Sequence, residues 1–100
     1  MVTGFQSPAQ GYEDRPLDLN QILVRHPNAN YFMRIDTDKY KNMAIFKDDI
    51  LIVDRSKLVH PSSLVVYAKD GGFCLGRVCN IMGEASVEGC VVHVIHTVKE

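Results

Sequence analysis

A tight turn in the second half of the chain restricts the possible folds more than any other feature. Residues 70–72 read Asp-Gly-Gly, and the segments on either side, 64–68 and 73–78, are rich in residues that favour strands. Glycine accepts the positive φ angles that short hairpin turns require. The pattern therefore predicts an antiparallel β-hairpin.

Three more segments are predicted to be strands. Residues 31–35 read Tyr-Phe-Met-Arg-Ile, which favours an extended conformation. Residues 50–53 read Ile-Leu-Ile-Val, an uninterrupted apolar run that suits a strand buried on both faces. Residues 90–98 are rich in β-branched residues and form the last predicted strand.

Residues 18–26 are predicted to form a short helix ahead of the strands. Asp18 is suited to the N-cap position, and the proline directly after the segment stops the helix. The apolar residues Leu19, Ile22 and Leu23 have helical spacing. Because a helix of about two turns depends on tertiary packing, we expect this stripe to face the core.

Together these elements predict a mostly β fold, in which a compact, curved, antiparallel sheet carries one short N-terminal helix. Residues 1–16 contain several glycines and prolines and are predicted to form an extended N-terminal arm. Residues 17–100 are predicted to form the single domain.

The charge balance and the cysteines exclude several classes of function. A formal net charge of -1 and a pI of about 6.4 provide no broad basic field, so direct DNA binding is not expected. The cysteines, Cys74, Cys79 and Cys90, are odd in number and lack CxxC spacing, which argues against disulfides and zinc. We predict free, mostly buried thiols and no cofactor. Since no apolar run approaches the roughly 20 residues of a membrane span, we predict a cytoplasmic protein without membrane contact.

Three segments follow one another at spacings that match a known family. They read Gly-Phe-Gln-Ser-Pro-Ala, Asp-Leu-Asn-Gln-Ile-Leu and His-Pro at 4–9, 18–23 and 26–27, then Tyr-Phe and Asp-Ile-Leu-Ile-Val-Asp at 31–32 and 49–54, then Val-Val-His-Val-Ile-His at 91–96. These segments resemble the C-terminal domain shared by UmuD and LexA, in the S24 family of self-cleaving peptidases. The resemblance implies a curved, signal-peptidase-like fold, and the first segment is similar to the start of UmuD after its arm has been removed.

The groups that carry catalysis in that family are missing from the matching positions. The family places Gly-Asp-Ser-Met where residues 37–40 read Thr-Asp-Lys-Tyr, so the nucleophile position is Lys39. The family's general-base lysine follows the hairpin turn, where this chain has Gly76. In such a dyad a desolvated, neutral lysine takes the serine proton. The resemblance therefore implies that Lys39 and Gly76 are degenerate positions and that the chain has no catalytic residues.

Other polar residues allow competing interpretations. Thr37 and Lys39 would share a strand face, so a relocated Thr-Lys dyad is a minor alternative. His93 and His96 are three apart on a strand and would point to opposite faces, which disfavours a metal site. The aspartates lack calcium-loop spacing and are interpreted as turn and strand-end residues. They are Asp36, Asp38, Asp48, Asp49 and Asp54.

Two more differences from the family concern length. Residues 80–89 are too few to contain a Pro-x-Asn element that the family has before its last strand, which implies a deletion there. The three residues before Gly4 replace the cleaved arm. If Met1 is the native start, we expect the chain to be made directly in the processed, mutagenesis-active form.

The resemblance implies a non-enzymatic binding module of the SOS response. It would form a homodimer and bind a UmuC-like Y-family DNA polymerase in translesion synthesis. The partners known in the family also include the recombinase filament, the sliding clamp and full-length UmuD as a heterodimer. A terminal edge strand invites pairing with a twin, so we expect the dimer contact at the last strand. The interface candidates are Val92, His93, Val94, Ile95 and His96.

Three alternatives remain open on sequence grounds. The chain is a divergent peptidase with relocated catalytic groups, a repressor-type dimerisation domain, or a decoy that antagonises a host UmuD. The sequence contains no helix-turn-helix segment, which counts against the repressor interpretation.

Overall fold

The computed structural model of the chain describes residues 17–98. The predicted N-terminal arm, including the Gly-Phe-Gln-Ser-Pro-Ala segment, lies outside these residues. Within them the predicted fold class is confirmed, because one antiparallel five-stranded sheet is accompanied by one short α-helix.

The strands follow the order β1-β2-β5-β3-β4 across the sheet, so the last strand lies at its centre. Every pairing is antiparallel. The elements are α1 (Leu19–Leu23), β1 (Asn30–Arg34), β2 (Ile50–Asp54), β3 (Leu64–Lys69), β4 (Gly72–Arg77) and β5 (Ser86–Ile95), with 3-10 turns at Lys41–Met43 and Val78–Asn80.

Strand β2 is the centre of the core. Leu51 and Val53 are fully buried and pack in a cluster with Val66 and Leu75. Ile52 lies between them in the strand and is also buried, so β2 is covered on both faces. The prediction from the uninterrupted apolar run is confirmed.

The predicted hairpin is also confirmed. Lys69 pairs with Gly72, so the turn consists of Asp70 and Gly71. Both turn residues have positive φ, 52° and 84°. This conformation matches the right-handed twist of the flanking strands, and Asp-Gly is the residue pair that adopts it most readily.

The helix is shorter than predicted and its apolar stripe is not core. Asp18 caps it as expected, accepting a hydrogen bond from the backbone N–H of Asn20 at 3.0 Å. The helix ends at Leu23 rather than at His26, because the residue before a proline disfavours helical angles. No residue of α1 is buried, and Leu19 and Ile22 are exposed.

Strand β5 was predicted as a terminal edge strand at 90–98, and that prediction is wrong. The strand spans Ser86–Ile95 and lies between β2 and β3. Its first half pairs with β3 as far as Cys90, and its second half pairs with β2 from Cys90 onward. The strand begins earlier than predicted because β3 offers it hydrogen bonds there. Within the described chain, residues 91–95 pair with β2 on one side and with no strand on the other. The second half of β5 therefore has one open edge.

Candidate functional site

Lys39, which the resemblance assigns to the nucleophile position, lies at a cleft of about 490 Å³ between the loop that follows β1 and strand β4. Thr37 and Lys39 do not share a strand face, which corrects the expectation, because β1 ends at Arg34. Both lie in the loop, where the Lys39 N–H donates to Thr37 Oγ1 at 3.2 Å. The threonine oxygen therefore supports a turn, and the Lys39 side chain is exposed to solvent.

Tyr40 connects this loop to β4. Its side chain is buried, and its hydroxyl accepts a hydrogen bond from the backbone N–H of Leu75 at 3.1 Å. Leu75 directly precedes Gly76 in β4. Leu75 lines the cleft that Lys39 borders, whereas Gly76 is not one of the residues that line it.

Tyr67 covers Gly76 and was missed by the sequence analysis. A Cβ atom on Gly76 would lie 3.5 Å from Cε1 and 3.8 Å from the hydroxyl oxygen of Tyr67. Burial raises the pKa of the Tyr67 phenol, as do the nearby Cys74 and Tyr40. An aromatic ring placed diagonally across from a glycine on an edge strand compensates for the missing side chain. A side chain at position 76 would therefore begin in van der Waals contact with the Tyr67 ring.

A second polar cluster lies at the end of β2, around Asp54. This carboxylate is 5% exposed. Its Oδ2 is 2.8 Å from His26 Nδ1, while its Oδ1 accepts from the Ser56 hydroxyl at 2.6 Å and the Ser56 N–H at 2.8 Å. The Ser56 hydroxyl and then His26 hold the pKa of Asp54 well below its ordinary value of 3.8. Asp54 therefore remains ionised and ties the turn after α1 to the sheet.

The start of β2 carries a matching pair. Asp49 is buried, and its Oδ1 is 2.6 Å from His96 Nδ1, while its Oδ2 accepts from the Phe46 N–H at 2.9 Å. The His96 ring also contacts Phe46, with centroids 5.5 Å apart. His93, by contrast, borders a groove beside His26, so the two histidines of the last segment serve different places. Neither Asp-His pair was found from the sequence, because their members are 28 and 47 residues apart.

The remaining predicted groups have separate locations. Asp36 and Asp38 are exposed in the loop after β1, and Asp48 occupies a turn with φ of 76°. Residues 17–98 contain no group of three or more side chains able to hold a metal ion. All three cysteines are free, with Cys90 buried, Cys74 half-buried and Cys79 exposed.

No protein-family profile matches the chain. Three relatives align with it over 74 residues, which is 74% of this chain. The identity is 42% with protein MucA of Salmonella typhimurium, 35% with protein SamA of Salmonella typhimurium strain LT2, and 32% with protein ImpA of Escherichia coli. The alignment spans 51–53% of these proteins, so the chain matches about half the length of the curated relatives.

These relatives are UmuD-family proteins. The similarity supports the UmuD-like resemblance that the three sequence segments carry. In the part of the chain that the structure describes, no helix is long and apolar enough to cross a membrane.

The Asp54 cluster leads to a prediction about stability. Asp54→Asn is expected to lower the free energy of unfolding at neutral pH by about 2 kcal/mol, because hydrogen bonds to a buried charge are weakened. The folded-state pKa is depressed, so the stabilisation is present above the ordinary value of 3.8 and is lost as the pH falls below it. Urea unfolding of both proteins across this range should show the difference shrinking in acid.

Asp38→Asn is the matched control, since Asp38 is exposed in a turn. It should change the free energy of unfolding by no more than about 0.5 kcal/mol. Equal effects of the two substitutions would contradict the role assigned to Asp54.

Proposed function

We propose that this chain is a non-catalytic, UmuD-like accessory subunit that dimerises and binds a UmuC-like Y-family DNA polymerase during SOS translesion synthesis in the cytoplasm. One observation supports the non-catalytic part: at the two positions that the resemblance assigns to the dyad, the chain has an exposed lysine bordering the cleft, Lys39, and a glycine in contact with the Tyr67 ring, Gly76. The similarity to three UmuD-family proteins supports the biological role.

The dimer contact is proposed at the half-edge of β5. Residues 91–95 have a strand partner on the β2 side, and Val94 and Ile95 are each 40% exposed. A second copy pairing there would satisfy exposed backbone groups and cover apolar side chains. His96 is already engaged by Asp49, so we assign it to the margin of the contact rather than to its centre.

Light scattering at tens of micromolar, a range suited to moderate affinity, is expected to give the mass of a dimer. Val94→Lys should shift the protein towards a monomer, because it places a charge in the contact. Val87→Lys is the control, since Val87 has the same 40% exposure but lies in the half of β5 that pairs with β3. A monomer mass for the unmodified chain would contradict the proposal.

Polymerase binding is the decisive test of function. The chain, immobilised without prior treatment by a protease or a recombinase, is expected to retain a cognate UmuC-like polymerase. Processed UmuD provides the positive control. Retention by UmuD and none by this chain would exclude the subunit role.

The other partners follow from the same proposal. The recombinase filament, the sliding clamp and full-length UmuD are expected contacts of a UmuD-like subunit. Mixing the chain with full-length UmuD separates a working subunit from a decoy. A working subunit supports lesion bypass by the polymerase, whereas a decoy lowers the bypass that UmuD alone supports.

A further inference from the structure

A groove of about 520 Å³ lies on the side of the molecule where the turn after α1 approaches β5. We call it the β5 groove and define it by Leu23, Arg25, His26, Lys57, Val92 and His93, with Asp54 and Ser56 at its inner end. Its volume falls within the range of pockets that bind ligands, about 300–1,000 Å³. The cleft at Lys39 is a separate cavity, with no lining residue in common.

A β-bulge shapes the groove. Ile52 pairs with His93 and Val53 pairs with Val91, so Val92 is an additional residue in β5. Neighbouring residues of a regular strand point to opposite faces. The bulge redirects the strand, so that Val92 and His93 both line the groove. An apolar side chain and an imidazole are thereby placed side by side.

The charge around the groove is positive. Arg25 and Lys57 are permanently charged and are exposed. The one carboxylate of the lining, Asp54, has both oxygens engaged by Ser56 and His26. Asp54 therefore has little capacity left to pair with Arg25 or Lys57. His26 Nε2 faces away from that contact, and the His26 side chain is 61% exposed.

We propose that the β5 groove binds an acidic peptide segment of a partner protein, with carboxylates on Arg25 and Lys57 and an apolar side chain between Leu23 and Val92. Charge complementarity identifies the occupant, because two cations flank half-buried apolar side chains. The Asn30 side chain at the groove is already hydrogen-bonded to the His26 N–H and the Val53 carbonyl, both at 3.5 Å, so the polar contacts with the peptide are assigned to Arg25 and Lys57.

Nucleic acid fits the groove less well. Phosphate-backbone binding uses several cations along a track, and here two permanent cations flank one cavity on a chain of net charge -1. A phosphate backbone would also make no apolar contact with the side chains of Leu23 and Val92. The inference rests on the groove alone and does not require that the partner be a polymerase. It requires that the proposed dimer contact at residues 91–95 use the backbone edge of β5 and leave the Val92 and His93 side chains exposed in the groove.

The test uses the full chain, labelled for NMR, and a capped peptide of sequence Asp-Glu-Leu-Asp-Glu as the probe. We expect shifts of the His26 and His93 ring signals and of the Val92 amide on titration, and weaker binding as salt is raised. The peptide Asn-Gln-Leu-Asn-Gln is the matched neutral probe and should bind at least about tenfold more weakly if the charges contribute 1.4 kcal/mol or more.

The double variant Arg25→Gln with Lys57→Gln should lose at least about tenfold in affinity for the acidic peptide. Lys41→Gln with Lys47→Gln makes the same change in net charge at exposed positions outside the groove and should leave the affinity unchanged. The proposal would be overturned by any of three results. These are equal affinity for the two peptides, an equal loss of affinity in the two double variants, or NMR shifts at the Lys39 cleft instead of the β5 groove. A short single-stranded oligonucleotide could also be used to displace the bound peptide. If it did so at a lower concentration than unlabelled peptide, the proposal would be overturned and nucleic acid would be the preferred ligand.

Discussion

The unmodified chain is expected to remain uncut at about pH 10.5, where lysine loses its proton, and to leave a UmuD arm supplied in trans uncut. High pH is the informative condition, because self-cleavage by a Ser-Lys dyad requires a neutral lysine. Under the proposed assignment the reactive groups are missing rather than wrongly protonated, since Lys39 has no hydroxyl and Gly76 has no side chain. Gel electrophoresis and mass spectrometry after extended incubation provide the measurement, with UmuD as the active control.

Restoring the two groups is expected to yield at most feeble cleavage. In Lys39→Ser with Gly76→Lys, the Cβ of the new lysine would touch the Tyr67 ring, and position 76 does not line the cleft that Lys39 borders. A lysine that is not buried beside the serine keeps its charge and cannot act as the base. Thr37 and Tyr40 also replace the glycine and methionine beside the serine of the family, and catalysis is sensitive to misplacement of about 1 Å. Circular dichroism should confirm that the variant is folded.

Two results would overturn the non-catalytic interpretation. One is cleavage by the unmodified chain that Thr37→Ala abolishes, which would establish the relocated Thr-Lys dyad. The other is covalent labelling of the unmodified chain by a serine-directed probe. Both measurements are independent of polymerase binding.

Gly89→Ala is expected to be strongly destabilising, by about 2–3 kcal/mol, because it overpacks the centre of the sheet. A Cβ atom at this position would lie 2.7 Å from Val53 Cγ1 and 3.2 Å from the backbone oxygen of Asp54. Val53 is fully buried in the core, and its neighbours leave it no space to withdraw. Chemical denaturation of both proteins measures the change in the free energy of unfolding.

Gly72→Ala separates this effect from the general consequence of replacing a strand glycine. Gly72 lies at the start of β4, and a Cβ there would have no atom within 4 Å. The substitution should change stability by no more than about 0.5 kcal/mol. If Gly89→Ala were as mild, the close contact of β5 with β2 at this point would be refuted.

The sequence by itself determined those features that depend on neighbours in the chain. The Asp70-Gly71 turn follows from positive φ angles, and the Asp18 cap follows from one side-chain oxygen and the nearby backbone N–H groups. The apolar run of β2 predicted burial on both faces, because no polar residue interrupts it. The assignment of Lys39 and Gly76 to the nucleophile and base positions also rests on spacing along the chain, and it stays a prediction.

Tertiary structure alone decided what depends on distant residues. Strand β5 became central rather than terminal because both β2 and β3 offer it backbone hydrogen bonds, and no local pattern encodes that choice. The same holds for Tyr67 over Gly76 and for His26 at Asp54, where each contact joins separate elements. Propensity and spacing describe the conformation of a segment, whereas burial and pairing depend on which other segments fold against it.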